Sequence, residues 1–278
     1  MAYKTILAHV DSFSPSLDHI VYAIATAKQH DAHLIGLAPS GFASLPAGDY
    51  FGASARYIGE MQQELDEAAT KAATIFADEC KRQGLASYEA REATDSVIQA
   101  MLLSAGYADL VVVSQPAEDA ASTLAGPGFV GDLLLEGCRP VMVLPNSKLS
   151  APPIRNVLVA WDGSREAARA VTDAMPLLLA AAQVEVVAVI PGESSTSHGA
   201  EPGSDLAVFL ARHGVKANVN QVVAQASITD TLLGQITALD ADLIVMGGYG
   251  HSRLREWVLG GTTRDMLAKM KVPALMSH

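Results

Sequence analysis

The chain contains a diverged internal repeat, and this repeat limits the fold more than any other feature of the sequence. Four short patterns occur in the first half and again, in the same order, in the second half. In each half, 32 residues separate the alanine that opens the third pattern from the proline of the fourth. This agreement predicts two copies of one domain, residues 1–147 and 153–278, joined by a proline-bearing linker. The matched segments are Ile6–Asp11 with Val157–Asp162, Ala32–Pro39 with Val184–Pro191, Ala108–Ser114 with Ala241–Gly247, and Arg139–Leu144 with Val272–Ser277.

Each half alternates short β-branched runs with helical patterns, which is typical of parallel strands joined by right-handed crossovers. The predicted fold class is therefore α/β, with two tandem open parallel five-stranded sheets and helices on both faces, a Rossmann-like arrangement. In the first half, a loop to about residue 53 precedes a long helix over 54–82. In the second half we predict strands near 155–161, 184–190, 217–224, 242–247 and 273–277, and helices near 164–181, 203–213, 228–239 and 261–270.

Composition narrows the class of partner. The formal net charge of −11 argues against a nucleic-acid partner, which would need a basic patch. No apolar run predicts a membrane span, and the apolar stretch near the start is too short for a signal peptide. Two cysteines do not make a disulfide framework. We therefore expect a cytoplasmic protein that binds neither nucleic acid nor membrane.

Glycine turns near the end of the chain predict a phosphate-binding site. Gly247 and Gly250 follow an apolar strand, and Gly260 and Gly261 precede a predicted helix. Glycines let the backbone approach an anion, and unpaired N–H groups at a helix start point toward it. Two arginines within the segment, and two threonines after it, add cations and hydroxyls; the alternative is a purely structural double turn. These residues are Arg253, Arg255, Thr262 and Thr263.

Asp162 closes the first predicted strand of the second half. A carboxylate at the end of such a strand can accept hydrogen bonds from a ribose. The same aspartate lies in a good context for capping the next helix, and the two roles are compatible because a carboxylate has two oxygens.

The first half acts as an internal control for the glycine pattern. Aligned on the shared strand, Gly247 falls on Ser114, Gly250 on Ala117 and Gly260 on Pro127, and only Gly261 keeps a glycine. Proline has no N–H to donate. We expect the first half to be a degenerate copy with its ligand site altered or absent.

These features resemble the universal stress protein family, in the form of two such domains in tandem. The family's ATP-binding pattern is G-x2-G-x9-G-[ST] after a strand of this type, with an aspartate closing the first strand. Gly247, Gly250 and Gly260 keep the spacing, whereas Gly261 stands where the family has serine or threonine.

The resemblance implies ATP, or ADP or AMP, as the ligand, with Mg²⁺ as an accompanying ion. It implies a binding role for Ala160 and Trp161 on the adenosine side, although Trp161 fits the core equally well. Asp162 would lie near the ribose and Val189 would meet the adenine edge through its backbone. The remaining residues would surround base, ribose and phosphates: Met246, Gly247, Gly250, Gly260, Gly261, Thr262 and Thr263.

The resulting hypothesis is a stress-response protein whose second domain acts as an ATP-dependent switch read by an unknown protein partner. The resemblance also implies an intrachain pseudo-dimer through strands 139–145 and 272–277, and a homodimer is a further expectation. Enzymatic turnover has no support beyond a weak ATPase. The alternatives are a slow ATPase or self-phosphorylating protein, with Ser252, Thr262 or Thr263 as acceptor, and a nucleotide-free dimerising scaffold.

Overall fold

Contacts between residues divide the chain into two compact units. The computed structural model describes all residues except 1, 14–15, 44–54, 117–123, 127, 148, 150–151, 191–202, 225–226 and 251–260. The first unit is Tyr3–Arg139, and the second is Pro140–His278 together with residues 1–2.

The first unit has a four-stranded parallel sheet in the order β3-β2-β1-β4. Its strands alternate with helices along the described chain, as predicted for an α/β fold. The predicted long helix is confirmed as α2. The elements are β1 Thr5–His9, α1 Leu17–His30, β2 His33–Pro39, α2 Ala55–Arg82, β3 Tyr88–Ala93, α3 Val97–Ala105, β4 Leu110–Ser114 and α4 Phe129–Glu136.

The second unit has a six-stranded sheet in the order β5-β10-β9-β6-β7-β8. All neighbours are parallel except β5, which runs antiparallel to β10. The α/β class is confirmed here too, and all five predicted strands are present. The elements are β5 Val141–Leu144, β6 Asn156–Ala160, α5 Arg165–Asp173, α6 Met175–Ala180, β7 Gln183–Ile190, α7 Ser204–Arg212, β8 Ala217–Val223, α8 Ile228–Ala238, β9 Leu243–Gly247, α9 Thr262–Lys269 and β10 Ala274–Ser277.

The single helix predicted over 164–181 is wrong in one respect, because two helices, α5 and α6, occupy this range. α5 ends at Asp173, and α6 begins at Met175 with Pro176 in its first turn. Proline lacks an N–H and its ring clashes with the carbonyl four residues earlier, so it starts a helix readily but interrupts one.

The strand β5 explains where the contacts divide the chain. It pairs with β10 in the register Ala274–Val143, Leu275–Met142 and Met276–Val141. The division therefore falls at Arg139–Pro140, before β5, rather than in the predicted linker after it. The predicted domain boundaries and the pseudo-dimer stay predictions.

The helix α2 packs on the first unit's sheet through Phe76. This side chain is fully buried, and a Cβ built on Gly36 of β2 would lie 2.5–2.6 Å from its ring atoms. Glycine at position 36 is thus a packing requirement. Among the described residues, no helix is long and apolar enough to cross a membrane.

Replacing Gly36 with alanine should destabilise the protein by about 1–3 kcal/mol, because the added Cβ would force the buried Phe76 ring to shift. The measurement is the urea dependence of unfolding. Gly59→Ala is the matched control, since Gly59 lies on the exposed face of α2 with nothing within 4 Å of its Cβ position. That control should be neutral or stabilising by up to about 1 kcal/mol. Equal stability of the two variants would contradict the packing argument.

Candidate functional site

A cleft of about 510 Å³ lies at the carboxyl edge of the second unit's sheet. It opens beyond the ends of β6, β7 and β9, at the point in the sheet where later strands of the chain lie on both sides of β6. Ligands of open α/β sheets bind at such a switch point. The volume falls in the range of small-molecule sites, roughly 300–1,000 Å³.

The cleft brings together nine of the eleven residues predicted for the site: Ala160, Trp161, Asp162, Val189, Met246, Gly247, Gly250, Thr262 and Thr263. Gly261 does not line it but caps the adjoining helix α9. Gly260 lies outside the described residues, as do Ser252, Arg253 and Arg255. Trp161 is half-buried and faces the cleft, so a purely core role is wrong.

Sequence reasoning missed six lining residues: Gly163, Ser164, Val187, Ile228, Leu232 and Tyr249. Two of them, Ile228 and Leu232, are one turn apart at the start of α8 and form an apolar wall. Val187 shares a face of β7 with Val189, as residues two apart on a strand do. The strand period could have identified Val187, whereas only the tertiary fold brings α8 to the cleft.

Asp162 is held by the loop that starts α5. Its Oδ1 accepts hydrogen bonds from the Ser164 backbone N–H at 2.9 Å and from the Ser164 hydroxyl at 2.6 Å. The Ser164 hydroxyl in turn accepts from Ala167 N–H at 3.1 Å, so Ser164 is the N-cap and the capping role considered for Asp162 is indirect. Asp162 is exposed, and among the described residues its Oδ2 has no partner.

Val189 presents backbone groups to the cleft. Trp161 N–H donates to Val187 C=O on one side of β7, and Ala224 N–H donates to Ile190 C=O on the other side. In a parallel strand, the N–H and C=O of one residue point to the same neighbouring strand, and those of the next residue point to the strand on the other side. Val189 therefore directs its N–H and C=O toward the β6 side, past Ala160, the last residue of β6 that pairs with β7.

The glycine at the end of β9 has a packing role. A Cβ on Gly247 would lie 2.7 Å from Ala167 N and 2.9 Å from Glu166 Cβ, because α5 lies directly on this strand end. Gly250 is different, since its Cβ would meet only Glu166 Oε2, at an ordinary 3.6 Å. Only Gly250 can be replaced without moving α5.

The start of α9 offers backbone donors at the cleft. Gly261 is its N-cap and makes no side-chain capping hydrogen bond. The first N–H groups of a helix have no intrahelical partners and attract anions. Asp162 is the one carboxylate among the described residues that line the cleft. Within the described part of the chain, no cluster of side chains suited to a metal ion occurs.

In the first unit, two rings occupy positions that are small or polar in the second. His9 ends β1 as Ala160 ends β6, and Phe129 starts α4 as Thr262 starts α9. Their ring centroids are 5.1 Å apart. The first unit thus has two contacting rings where the second unit has Ala160 and Thr262.

The first unit also lacks the pair of backbone groups, one N–H and one C=O, that Val189 directs toward the cleft. Leu37 pairs with His9 as Val187 pairs with Ala160, so Pro39 corresponds to Val189. The sequence match of Ala32–Pro39 with Val184–Pro191, which sets Pro39 against Pro191, is therefore wrong by two residues. Proline has no N–H, and the Pro39 carbonyl already accepts a hydrogen bond from the Ser12 hydroxyl at 2.8 Å. Pro39 therefore has no donor for a ligand, and its carbonyl already has one partner.

The half-buried imidazole of His9 predicts a pH dependence of stability. Burial lowers the pKa of His9 from 6.5 to about 4, and the carboxylate of Asp11 opposes this only in part. Below pH 6.5 the His9 imidazole is protonated in the unfolded chain, whereas in the folded protein it stays neutral down to about pH 4. The free energy of unfolding should therefore fall across this window by on the order of 2 kcal/mol from this group.

The check is chemical denaturation of the wild type and of His9→Gln at pH 7.5 and pH 4.5. The wild type should lose more stability on acidification than the variant, because glutamine does not titrate. Equal losses would show that His9 does not carry this dependence.

Comparison with known proteins finds a similarity to one family in the second half of the chain. Residues 153–278 match the model of the Universal stress protein family. A universal stress protein of Synechocystis sp., Slr1230, is 26% identical over 197 residues, which cover 70% of this chain and 67% of that protein.

Solved structures resemble the whole chain. A universal stress protein from Archaeoglobus fulgidus is similar with a TM-score of 0.70 and 16% identity, covering 98% of this chain and 94% of that one. The functionally unknown protein PA1789 from Pseudomonas aeruginosa is similar with a TM-score of 0.61 and 17% identity, covering 99% and 92%. At this identity the likeness establishes the fold alone. The α/β, Rossmann-like fold of universal stress proteins therefore extends over both units.

Proposed function

We propose that the second unit binds ATP or a related adenine nucleotide in the cleft at the ends of β6, β7 and β9. One observation carries this proposal: an apolar recess, an uncommitted carboxylate oxygen and a glycine turn beside a helix start all line the same cleft. Those three environments match a base, a ribose and a phosphate chain in that order. The family match over 153–278 supports the same ligand class.

The base end favours adenine over guanine. Val187, Ile228 and Leu232 provide apolar walls for a planar ring. Val189 offers one backbone donor and one acceptor, which pair with N1 and the N6 amino group of adenine. Guanine carries O6 as an acceptor and a protonated N1, so both of its groups would oppose those of Val189.

The other end of the cleft suits ribose and phosphate. The free Oδ2 of Asp162 can accept from a ribose hydroxyl while Oδ1 stays engaged with Ser164. The Gly247–Gly250 turn and the first N–H groups of α9 then lie where phosphates would be bound. Mg²⁺ would bind with the phosphates rather than to a preformed protein site.

We further propose that binding of the nucleotide is the regulatory signal, and that a partner protein recognises the nucleotide-bound conformation. Asp162 is the one carboxylate among the described lining residues, and this proposal gives its Oδ1 to Ser164 and its Oδ2 to the ribose, so neither oxygen is assigned to a water for turnover. A ligand that binds one conformation better than another shifts the population toward it. In this proposal the chain is a tandem of universal stress protein domains, and the first unit contributes structure and not a second nucleotide site.

Titration calorimetry with ATP and GTP tests the proposal. ATP should bind at least about tenfold more tightly than GTP, because guanine would set its N1–H against the N–H of Val189 and its O6 against the C=O. Gly250→Val should weaken ATP binding by tenfold or more, since its side chain would occupy the phosphate turn without displacing α5.

The matched control is Gly234→Val, on the exposed face of α8 with nothing within 4 Å of the Cβ position. It should bind ATP as the wild type does. A wild type that binds neither nucleotide, or an unchanged ATP affinity in Gly250→Val, would contradict the proposed site.

A further inference from the structure

The glycine turn of the second unit is held in place by side chains from two other elements. We infer that Thr263 and His278 are positioning residues, which fix the turn Gly247–Gly250 in the shape that binds phosphate. This inference rests on the proposed function for its ligand, but the contacts that carry it belong to the protein alone.

Thr263 holds the turn at its most strained residue. Tyr249 has a φ of 50°, in the left-handed region that residues other than glycine rarely adopt. Its N–H donates to the Thr263 hydroxyl at 3.1 Å. Thr263 is only 7% exposed, so this hydrogen bond is partly shielded from water. The Thr263 hydroxyl thus has a partner within the protein, the Tyr249 N–H, and we assign it the role of holding the turn.

Gly248, which precedes Tyr249, is held by hydrogen bonds to both its N–H and its C=O. Gly248 N–H donates to the Ser277 carbonyl at 2.9 Å, and the Gly248 carbonyl lies 3.0 Å from His278 Nδ1, which donates to it. Ser277 is itself anchored, because its hydroxyl donates to Asp173 Oδ2 of α5 at 2.9 Å. The turn is therefore tied to β10 and α5 as well as to α9.

The first half of the sequence, up to Pro145, lacks these anchors at the same positions. β4, α4 and β5 have the same lengths and spacing as β9, α9 and β10, so the residues correspond without gaps. Val130 stands for Thr263, Pro116 for Tyr249 and Pro145 for His278. The acceptor hydroxyl, the donor N–H and the imidazole are all missing from the half that has also lost the glycines. A joint loss of this kind is expected if the anchors serve the glycine turn.

A role in positioning the turn predicts a selective effect on phosphate binding. Thr263→Val should weaken ATP binding by about three- to tenfold, the range for loss of one hydrogen bond. Adenosine binding should weaken less than ATP binding, because adenosine has no phosphates to contact the turn. Valine fits this helix position, since Val130 is buried at its counterpart in α4.

Two further variants test the assignment. Thr263→Ser keeps the acceptor oxygen and should restore the ratio of ATP to adenosine affinity. His278→Ala should lower that ratio in the same direction as Thr263→Val. Calorimetry with the full chain gives both affinities. A wild-type ratio in Thr263→Val, or equal losses for Thr263→Ser and Thr263→Val, would overturn the inference.

Hydrogen exchange without nucleotide separates this inference from the proposed function. The Tyr249 amide should exchange faster in Thr263→Val than in the wild type or in Thr263→Ser, because it loses its acceptor. A residue that only contacts a ligand would not alter exchange in the free protein. If the wild type binds no nucleotide, the proposed function fails, and an unchanged Tyr249 amide would separately refute the positioning role.

Discussion

The close approach of α5 to the end of β9 is the constraint on which the rest of the second unit's site depends. It is possible only because Gly247 has no Cβ, which would otherwise lie 2.7 Å from Ala167 N. With α5 seated there, its N-cap Ser164 holds Asp162 at the rim of the cleft. The chain then turns through Gly248 and Tyr249 to the region of α9. One missing side chain thus sets the position of both the carboxylate and the glycine turn.

The two units show how one architecture can carry different groups at the carboxyl edge of its sheet through a few substitutions. The parallel strands and their register are alike, yet His9, Phe129 and Pro39 stand where the second unit has Ala160, Thr262 and Val189. Two rings fill space and one proline removes a donor. The backbone elements persist because their stability depends on the apolar faces of strands and helices, which the substitutions leave intact.

The sequence predicted much of this, for physical reasons that also explain what it missed. Strand positions followed from apolar runs, and the site followed from the rule that parallel strands end at one edge, so Asp162 and Gly247 were placed together correctly. The interruption at Ala174 was missed although Pro176 signals it. Ile228 and Leu232 were missed because an amphipathic helix pattern does not reveal which neighbour its apolar face meets. The packing role of Gly247 depends on a contact with α5, which the sequence does not show.

The central claim is that one unit of this chain binds an adenine nucleotide and the other does not. Native mass spectrometry of the full chain, titrated with ATP, measures the number of nucleotides bound per chain directly. The account predicts saturation at one nucleotide per chain, with the adduct lost in Gly250→Val. Two nucleotides per chain would contradict the proposed loss of the site in the first unit, and none at saturating ATP would contradict the proposed site in the second.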